Sequence, residues 1–478
     1  MTEAIEEKVS TMTTALNAKT TATIALCDTT PATASAEADN SQRSEGALDM
    51  MLTERGEAFA EVERILAADP ESVFGYCLRA ALIVRADNAA ARSTLVASIA
   101  AIESSCRDSA APARRHAAAA RAWLEGGAVG AAALYDAIIV DCPHDVMALA
   151  VAHALDFHLG RRRSMLDRIA QVLPRWTVDV PGYASVLAMY AFALEENGQY
   201  RRAEKMARRA LALDPGHPGA IHVVAHVMEM QGRFDEGLSF LLANESAWSA
   251  GTGLSVHLAW HCALFHLETN DLKSALAVYD ARIATTDRAE LSSLADGSAL
   301  LWRLQLQGRE VRERWRQLAD RWATRTLAEV RPFYAVHAMM ALAAAGRTAA
   351  ALRLMETLPH SAFQEGSLLN PEEALAPPVC EALLAFVHGD YIKCVQRLSQ
   401  VRRVAYRCGG SLVQCDVVHL TLTEAALRAQ WGRLARVLIA ERIARNPASW
   451  FNRLLRQRLE TWPKPRQTRV SGAEAALA

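Results

Sequence analysis

The feature that most constrains this chain is a turn that recurs inside paired helical patterns. The clearest unit runs Tyr190-Ala191-Phe192-Ala193-Leu194-Glu195-Glu196-Asn197-Gly198-Gln199-Tyr200-Arg201-Arg202-Ala203 and continues through Ala207 and Ala210 to Asp214-Pro215. Small residues let two antiparallel helices approach, Gly198 turns the chain between them, Tyr200 plugs the hairpin, and Asp214-Pro215 ends the second helix. Gly198, Tyr200 and Ala203 are echoed 34 residues later by Gly232, Phe234 and Gly237. With this turn as a ruler, candidates fall at Gly127, Gly160, Gly198, Gly232, Asn270, Gly308, Gly346, Gly389 and Gly432, at intervals of 33 to 43 residues. An earlier hairpin around Ala86-Asp87-Asn88 closes a set of ten. Each unit leaves an apolar face that only its neighbours cover, so the expectation is a cooperative all-α, right-handed solenoid of about ten irregular hairpins.

Composition agrees. A chain of 478 residues is too long for one ordinary compact core. It is 51% hydrophobic but only 6% aromatic, and rich in Ala and Leu, which suits closely packed helices. Its 52 basic and 53 acidic residues leave a net charge of −1, so no overall field favours nucleic acid or an anionic membrane. Nine cysteines without a CxxC pair suggest reduced, mostly buried thiols rather than a disulfide framework or a thiolate zinc site. The acidic start, Met1 to Glu7, does not read as a secretory or mitochondrial signal. No run of about 18 uncharged apolar residues suggests a membrane span, and a cytoplasmic protein is expected. Residues 1–45, rich in Thr, Ala and Ser, read as a flexible arm, 46–462 as the solenoid, and 463–478 as a flexible tail. Asn370-Pro371 and Pro377-Pro378 are expected to interrupt the helical pattern.

The hairpin unit is that of a tetratricopeptide repeat, and several blocks resemble the tetratricopeptide repeat protein 38 family over roughly residues 180 to 455. They are residues 220–233, beginning Ala220-Ile221-His222, residues 257–268, beginning His257-Leu258-Ala259-Trp260-His261, and Ala299-Leu300-Leu301-Trp302-Arg303-Leu304. Further on come His337-Ala338-Met339-Met340-Ala341, Ala345-Gly346-Arg347, Gly409-Gly410-Ser411 with Gln414 and Asp416, and Ala440-Glu441-Arg442. The resemblance implies an α-helical repeat fold and an intracellular protein. It assigns no reaction, ligand or catalytic residue.

In a tetratricopeptide unit the first helix lines the concave surface, and repeat positions 2, 5, 9 and 12 share its inward face. Counting Gly232 as position 15 puts His222, His226 and Glu229 at positions 5, 9 and 12. Counting Asn270 as position 15 puts His257 at position 2 and Trp260 at position 5, with His261 one step round the helix. The same register turns Ser185, Phe192 and Glu195 inward before this centre, and Ser298, Trp302, Gln305, Phe333 and Met340 after it.

Three readings compete for the cluster. The histidines can be core residues hydrogen-bonded to neighbouring carbonyls or carboxylates. They can form a recognition site, where Trp260 and Phe192 supply area and the imidazoles, Glu195 and Glu229 supply directional bonds to a peptide segment of a protein partner or to a small polar ligand. Or His222, His226, His257 and His261 can hold Zn²⁺ or Fe²⁺, or act as general acid and base. There is no HExxH, and HxxxH is common by chance, so a binding protein without a cofactor is the expectation and an enzyme built on these histidines the alternative. The runs Arg161-Arg162-Arg163, Arg201-Arg202 and Arg208-Arg209 read as solvated faces, and Gly409-Gly410-Ser411 as a helix-helix loop closing the last groove.

Overall fold

Backbone geometry at the turns bears out the ruler almost throughout. In the computed structural model, which describes residues 34–106, 108, 110–250, 253–285, 291–325, 331–358 and 375–461, Gly127, Gly160, Gly198, Gly232, Asn270, Gly308, Gly346 and Gly389 all take positive φ, between 62° and 82°. A left-handed residue after the last helical turn satisfies the dangling carbonyls and stops the helix, which is why Gly and Asn occupy these sites. Asp87 (φ 51°) marks the earlier hairpin, and Glu54 (φ 58°) adds one more before it. At the last turn Gln430 (φ 63°) takes the left-handed position, while Gly432 opens the following helix. Among the described residues this makes eleven helix pairs and a final single helix.

The helices that matter below are α1 Val146–His158, α2 Tyr183–Glu196, α3 Pro218–Met230, α4 Gly253–Glu268, α5 Leu291–Leu306, α6 Pro332–Ala344, α7 Ala376–Val387, α8 Leu412–Arg428, α9 Gly432–Arg445 and α10 Trp450–Glu460. Helices α1 to α7 are the first members of successive pairs, and each packs on the next. The second members lie outside: in Tyr200–Leu213 only Ala203, Ala207 and Ala210 are buried. The first members differ. In α4 every residue from Leu258 to Phe265 is buried, and in α5 every residue from Ser293 to Leu304. A helix buried around its whole circumference is covered on both sides.

The chain's own C-terminus supplies the inner cover. The Trp302 indole donates to Thr421 Oγ1 (2.9 Å), Arg303 Nη2 to the Val413 carbonyl (2.7 Å), and Asn446 Nδ2 to the Glu229 carbonyl (3.2 Å). The Leu412 amide donates to Glu196 Oε1 at 3.0 Å across 216 residues of sequence. Gly160 lies so close to this segment that a Cβ there would sit 2.9 Å from the Tyr406 carbonyl oxygen. Residues 405–452 therefore occupy the inner face of the solenoid around α2 to α5.

Other expectations need correction. The arm does not extend to residue 45: a helix spans Ala34–Thr53, anchored by buried Ala47, Leu48 and Met51. Residues 1–33, Asn370-Pro371 and the tail from 463 lie outside the described residues. Pro377-Pro378 begin α7 instead of breaking it, since first-turn amides have no intrahelical acceptor to lose. Pro112–Asp141 is long and apolar enough by length and composition to cross a membrane, but Gly127 (φ 75°, ψ −169°) divides it into the two helices of a pair. Cys27 lies outside the described residues; the other cysteines are thiols rather than disulfides, buried except for exposed Cys142 and half-buried Cys415.

Candidate functional site

Four imidazoles converge from two adjacent first helices. His222 and His226 stand one turn apart on α3, and His257 and His261 one turn apart on α4, so each HxxxH pair presents both rings to the same space. Ring centroids are 4.3 Å apart for His222 and His226, 4.6 Å for His226 and His261, 4.7 Å for His257 and His261, and 4.9 Å for His222 and His257. His226 and His261 are fully buried; the His257 side chain keeps 14% exposure. Aromatic walls hold the rings: His222 stacks on Phe192, and His257 on Trp260 at an interplanar angle of 18°.

The outward nitrogens explain the orientation. His226 Nδ1 meets Glu195 Oε2 at 3.2 Å, His261 Nδ1 meets Glu229 Oε2 at 2.7 Å, and His257 Nδ1 meets Asp296 Oδ2 at 2.8 Å. Asp296 is itself held by Gln414 Nε2, 3.1 Å away, from the start of α8. Which partner donates depends on where the proton sits: with the carboxyl group ionised, the imidazole donates at Nδ1 and turns a lone pair inward at Nε2. Inside, His222 Nε2 and His226 Nε2 are buried without a hydrogen-bond partner, and His257 Nε2 and His261 Nε2 face each other at 3.2 Å. One ligand atom from each of the four rings lies within 4.8 Å of all the others.

Electrostatics follow from burial. It holds His226 down to about 3, and His222 and His261 well below the usual imidazole range, with the neighbouring histidines adding to the effect, so these rings are neutral. It also pushes Glu195 up to about 8 against the opposing pull of Arg162, and raises Glu229 well above the carboxylate range. Glu196 rises to about 7, through burial and then the charge of Glu195. Neutral imidazoles beside carboxyl groups are ready to ligate, and a divalent cation would draw the protons off those carboxyls.

Structural hydrogen bonding, the first of the three readings, is thus met at Nδ1 for three of the four rings and between His257 and His261 at Nε2, but it leaves Nε2 of His222 and His226 without a partner. Trp260 and Glu195 do belong to the cluster, yet both are fully buried rather than lining an open groove. Trp302 does not join it: its ring packs on Trp315 and Phe386. Arg162, read as part of a solvated run, is instead bound to buried Glu196 at 2.7 Å and stacked over Tyr406. Asp296 lies off the register positions that face inward, so the repeat frame does not single it out; Gln414 and Asp416 stand out only through the family resemblance. Gly409-Gly410-Ser411 is a helix-helix loop, with Ser411 closing a capping box on α8.

A tetratricopeptide repeat family model matches residues 184–227, from the start of α2 through Val227 on α3, and so takes in His222 and His226. The chain carries a tetratricopeptide repeat. Among solved structures it is similar to the crystal structure of the P58(IPK) TPR domain, at 10% identity, over 82% of this chain and 98% of that one, with a TM-score of 0.21. In this repeat protein the matched hairpin is the one whose end, Glu195-Glu196, faces the histidine centre.

Proposed function

We propose that the protein is a metal-binding tetratricopeptide-type repeat protein, in which His222, His226, His257 and His261 hold one divalent transition-metal ion, Zn²⁺ or Fe²⁺, at Nε2. The observation that carries this is the convergence of one nitrogen from each of four rings within 4.8 Å, two of them, His222 and His226 Nε2, buried without a partner, backed by a carboxyl group on three of the four outer nitrogens. Metal-bound histidines are oriented this way, the carboxylate fixing the tautomer and making the ligand more basic. The spacing supports it too. Tetrahedral bonds of about 2.0–2.1 Å put ligand nitrogens about 3.3 Å apart, close to the 3.2 Å between His257 and His261. Glu195, Glu229 and Asp296 supply the negative charge that a buried dication requires. Together the shell joins α2, α3, α4 and α5, four successive repeats.

The likeness to the tetratricopeptide repeat protein 38 family is part of this reading, since the blocks that carry it supply the four histidines, Glu229, Gln414, Asp416 and Arg442. A small polar ligand has room beside the centre. A protein partner, the usual cargo of such repeats, would meet a surface other than the inner face around His226, which residues 405–452 cover. Location in the cytoplasm is part of the same proposal. X-ray absorption at the metal edge of protein loaded with one equivalent of Zn²⁺ tests the ligand set: four nitrogen neighbours at about 2.0–2.1 Å support it. Sulfur neighbours, or a shell mostly of oxygen, would contradict it.

A further inference from the structure

Beside the histidine centre, and beyond Glu229, a cavity of about 790 Å³ opens between α3, α4 and α5 on one side and the C-terminal helices on the other. Its size is that of a small-molecule site. Its walls are apolar where Met230, Phe234, Leu264, Leu267 and Phe451 contribute, and its polar groups are unevenly satisfied.

Most charged groups here are already matched. Arg442 is bidentate to Asp416 (2.7 and 3.0 Å), Arg402 reaches Glu441 (2.8 Å), and Arg162 is bound to Glu196. Arg303 is the exception among the buried ones, Arg403 and Arg445 on the same wall being exposed. It is 6% exposed, lies over the Trp260 ring, and spends Nη1 on the Ala299 carbonyl and Nη2 on the Val413 carbonyl. Among the described residues no carboxylate lies within ion-pair distance of it. Asp416, Glu229 and Glu268 act on its charge only from beyond contact distance, so the buried guanidinium has carbonyl dipoles and a ring, and no carboxylate, as its direct partners. One turn further along stands Gln307, whose Oε1 is buried without a donor, and across the cavity Glu268 Oε2 is in the same condition. Two acceptors without donors and one cation without a carboxylate in contact thus stand on the wall of one cavity.

We infer that this cavity binds a small organic acid that also carries a hydrogen-bond donor, an amino acid or 2-hydroxy acid in chemical class, with its carboxylate on Arg303, its amino or hydroxyl group on Gln307 and Glu268, and its apolar body against Phe234, Leu264 and Phe451. A plain amine leaves Arg303 without a counter-ion, and a plain carboxylate leaves the two acceptors bare. A site with buried polar groups discriminates strongly against a ligand that fails to pair them. The inference stands on the cavity alone and does not require the metal.

Calorimetric titration of the full chain tests it, with the twenty protein amino acids and their 2-hydroxy analogues as probes, and the matching amines and unsubstituted carboxylates as controls. At least one probe is expected to bind with a Kd below about 1 mM, and its controls at least about 10-fold more weakly. Gln307→Leu, close to the end of α5, is expected to weaken that probe at least about 10-fold with metal content unchanged. Arg303→Met is expected to do the same where circular dichroism shows it folded. Binding that survives chelation supports the cavity whatever the metal analysis gives. No binding by any probe, equal binding by the controls, or unaltered affinity in folded Gln307→Leu overturns the inference.

Discussion

His226→Ala is expected to weaken Zn²⁺ binding by more than about 100-fold, because it removes one of four ligands and leaves Glu195 facing a void. Asp296→Asn, which keeps size but loses charge behind His257, is expected to cost about 10- to 100-fold, the usual penalty for disturbing the partner of a metal-bound histidine. Competition against a chromophoric chelator measures both. The order is informative: a structural histidine cluster without a metal would show no graded effect on ion affinity. The same ion should stabilise the fold, since it joins α3 directly to α4. At a free concentration about 1,000 times Kd, binding to the folded state alone contributes about 4 kcal/mol. Chelation should lower the melting temperature of the wild type and leave that of His226→Ala unchanged.

The second large effect concerns closure of the solenoid. Gly160, Gly198, Gly308, Gly346 and Gly389 all end first helices in the left-handed region, but a Cβ at the last four would meet nothing within 4 Å, whereas at Gly160 it would meet the Tyr406 carbonyl oxygen at 2.9 Å and Arg407 Cα at 3.0 Å. Gly198→Ala should therefore cost about 1–2 kcal/mol, the left-handed penalty alone. Gly160→Ala should cost about 2–5 kcal/mol, with a clash against unyielding backbone added. Denaturant unfolding of the two variants separates them, and faster proteolysis near residues 405–412 in Gly160→Ala would locate the damage. Equal costs would mean that the C-terminal segment does not seat against the end of α1.

What could be read from the residues, and what could not, divides along physical lines. Eight of the expected turn positions carry Gly or Asn because a left-handed residue is cheap for them, so periodicity found them. Glu54, Asp87 and Gln430 adopt the same conformation at a cost their surroundings bear; of these the sequence points to Asp87, within Ala86-Asp87-Asn88, and at the last turn to Gly432 in place of Gln430. The two HxxxH pairs were legible because i and i+4 share a helix face whatever the tertiary structure. Their meeting was legible as well, since adjacent repeats stack first helix on first helix.

The inner cover was not. Repeat logic describes contacts between neighbours, and no local pattern announces that Leu412 will reach Glu196, 216 residues earlier, or that Asn446 will bind the Glu229 carbonyl. That contact pattern changes the chemistry of the site. An open groove would have left the histidines hydrated and content, while a covered one makes every unpaired nitrogen costly and gives Asp296 its work behind His257. The one available hint was the apolar runs Cys262 to Phe265 in α4 and Ala299 to Trp302 in α5, which wrap each helix and leave little polar surface for an open groove.

Metal analysis of protein purified without an affinity tag tests the central claim most directly. The four-histidine centre predicts about one Zn or Fe per chain, removed by chelator and regained in a single stoichiometric step. Less than about a tenth of an ion per chain, with no uptake when Zn²⁺ or Fe²⁺ is added to the folded protein, would contradict it.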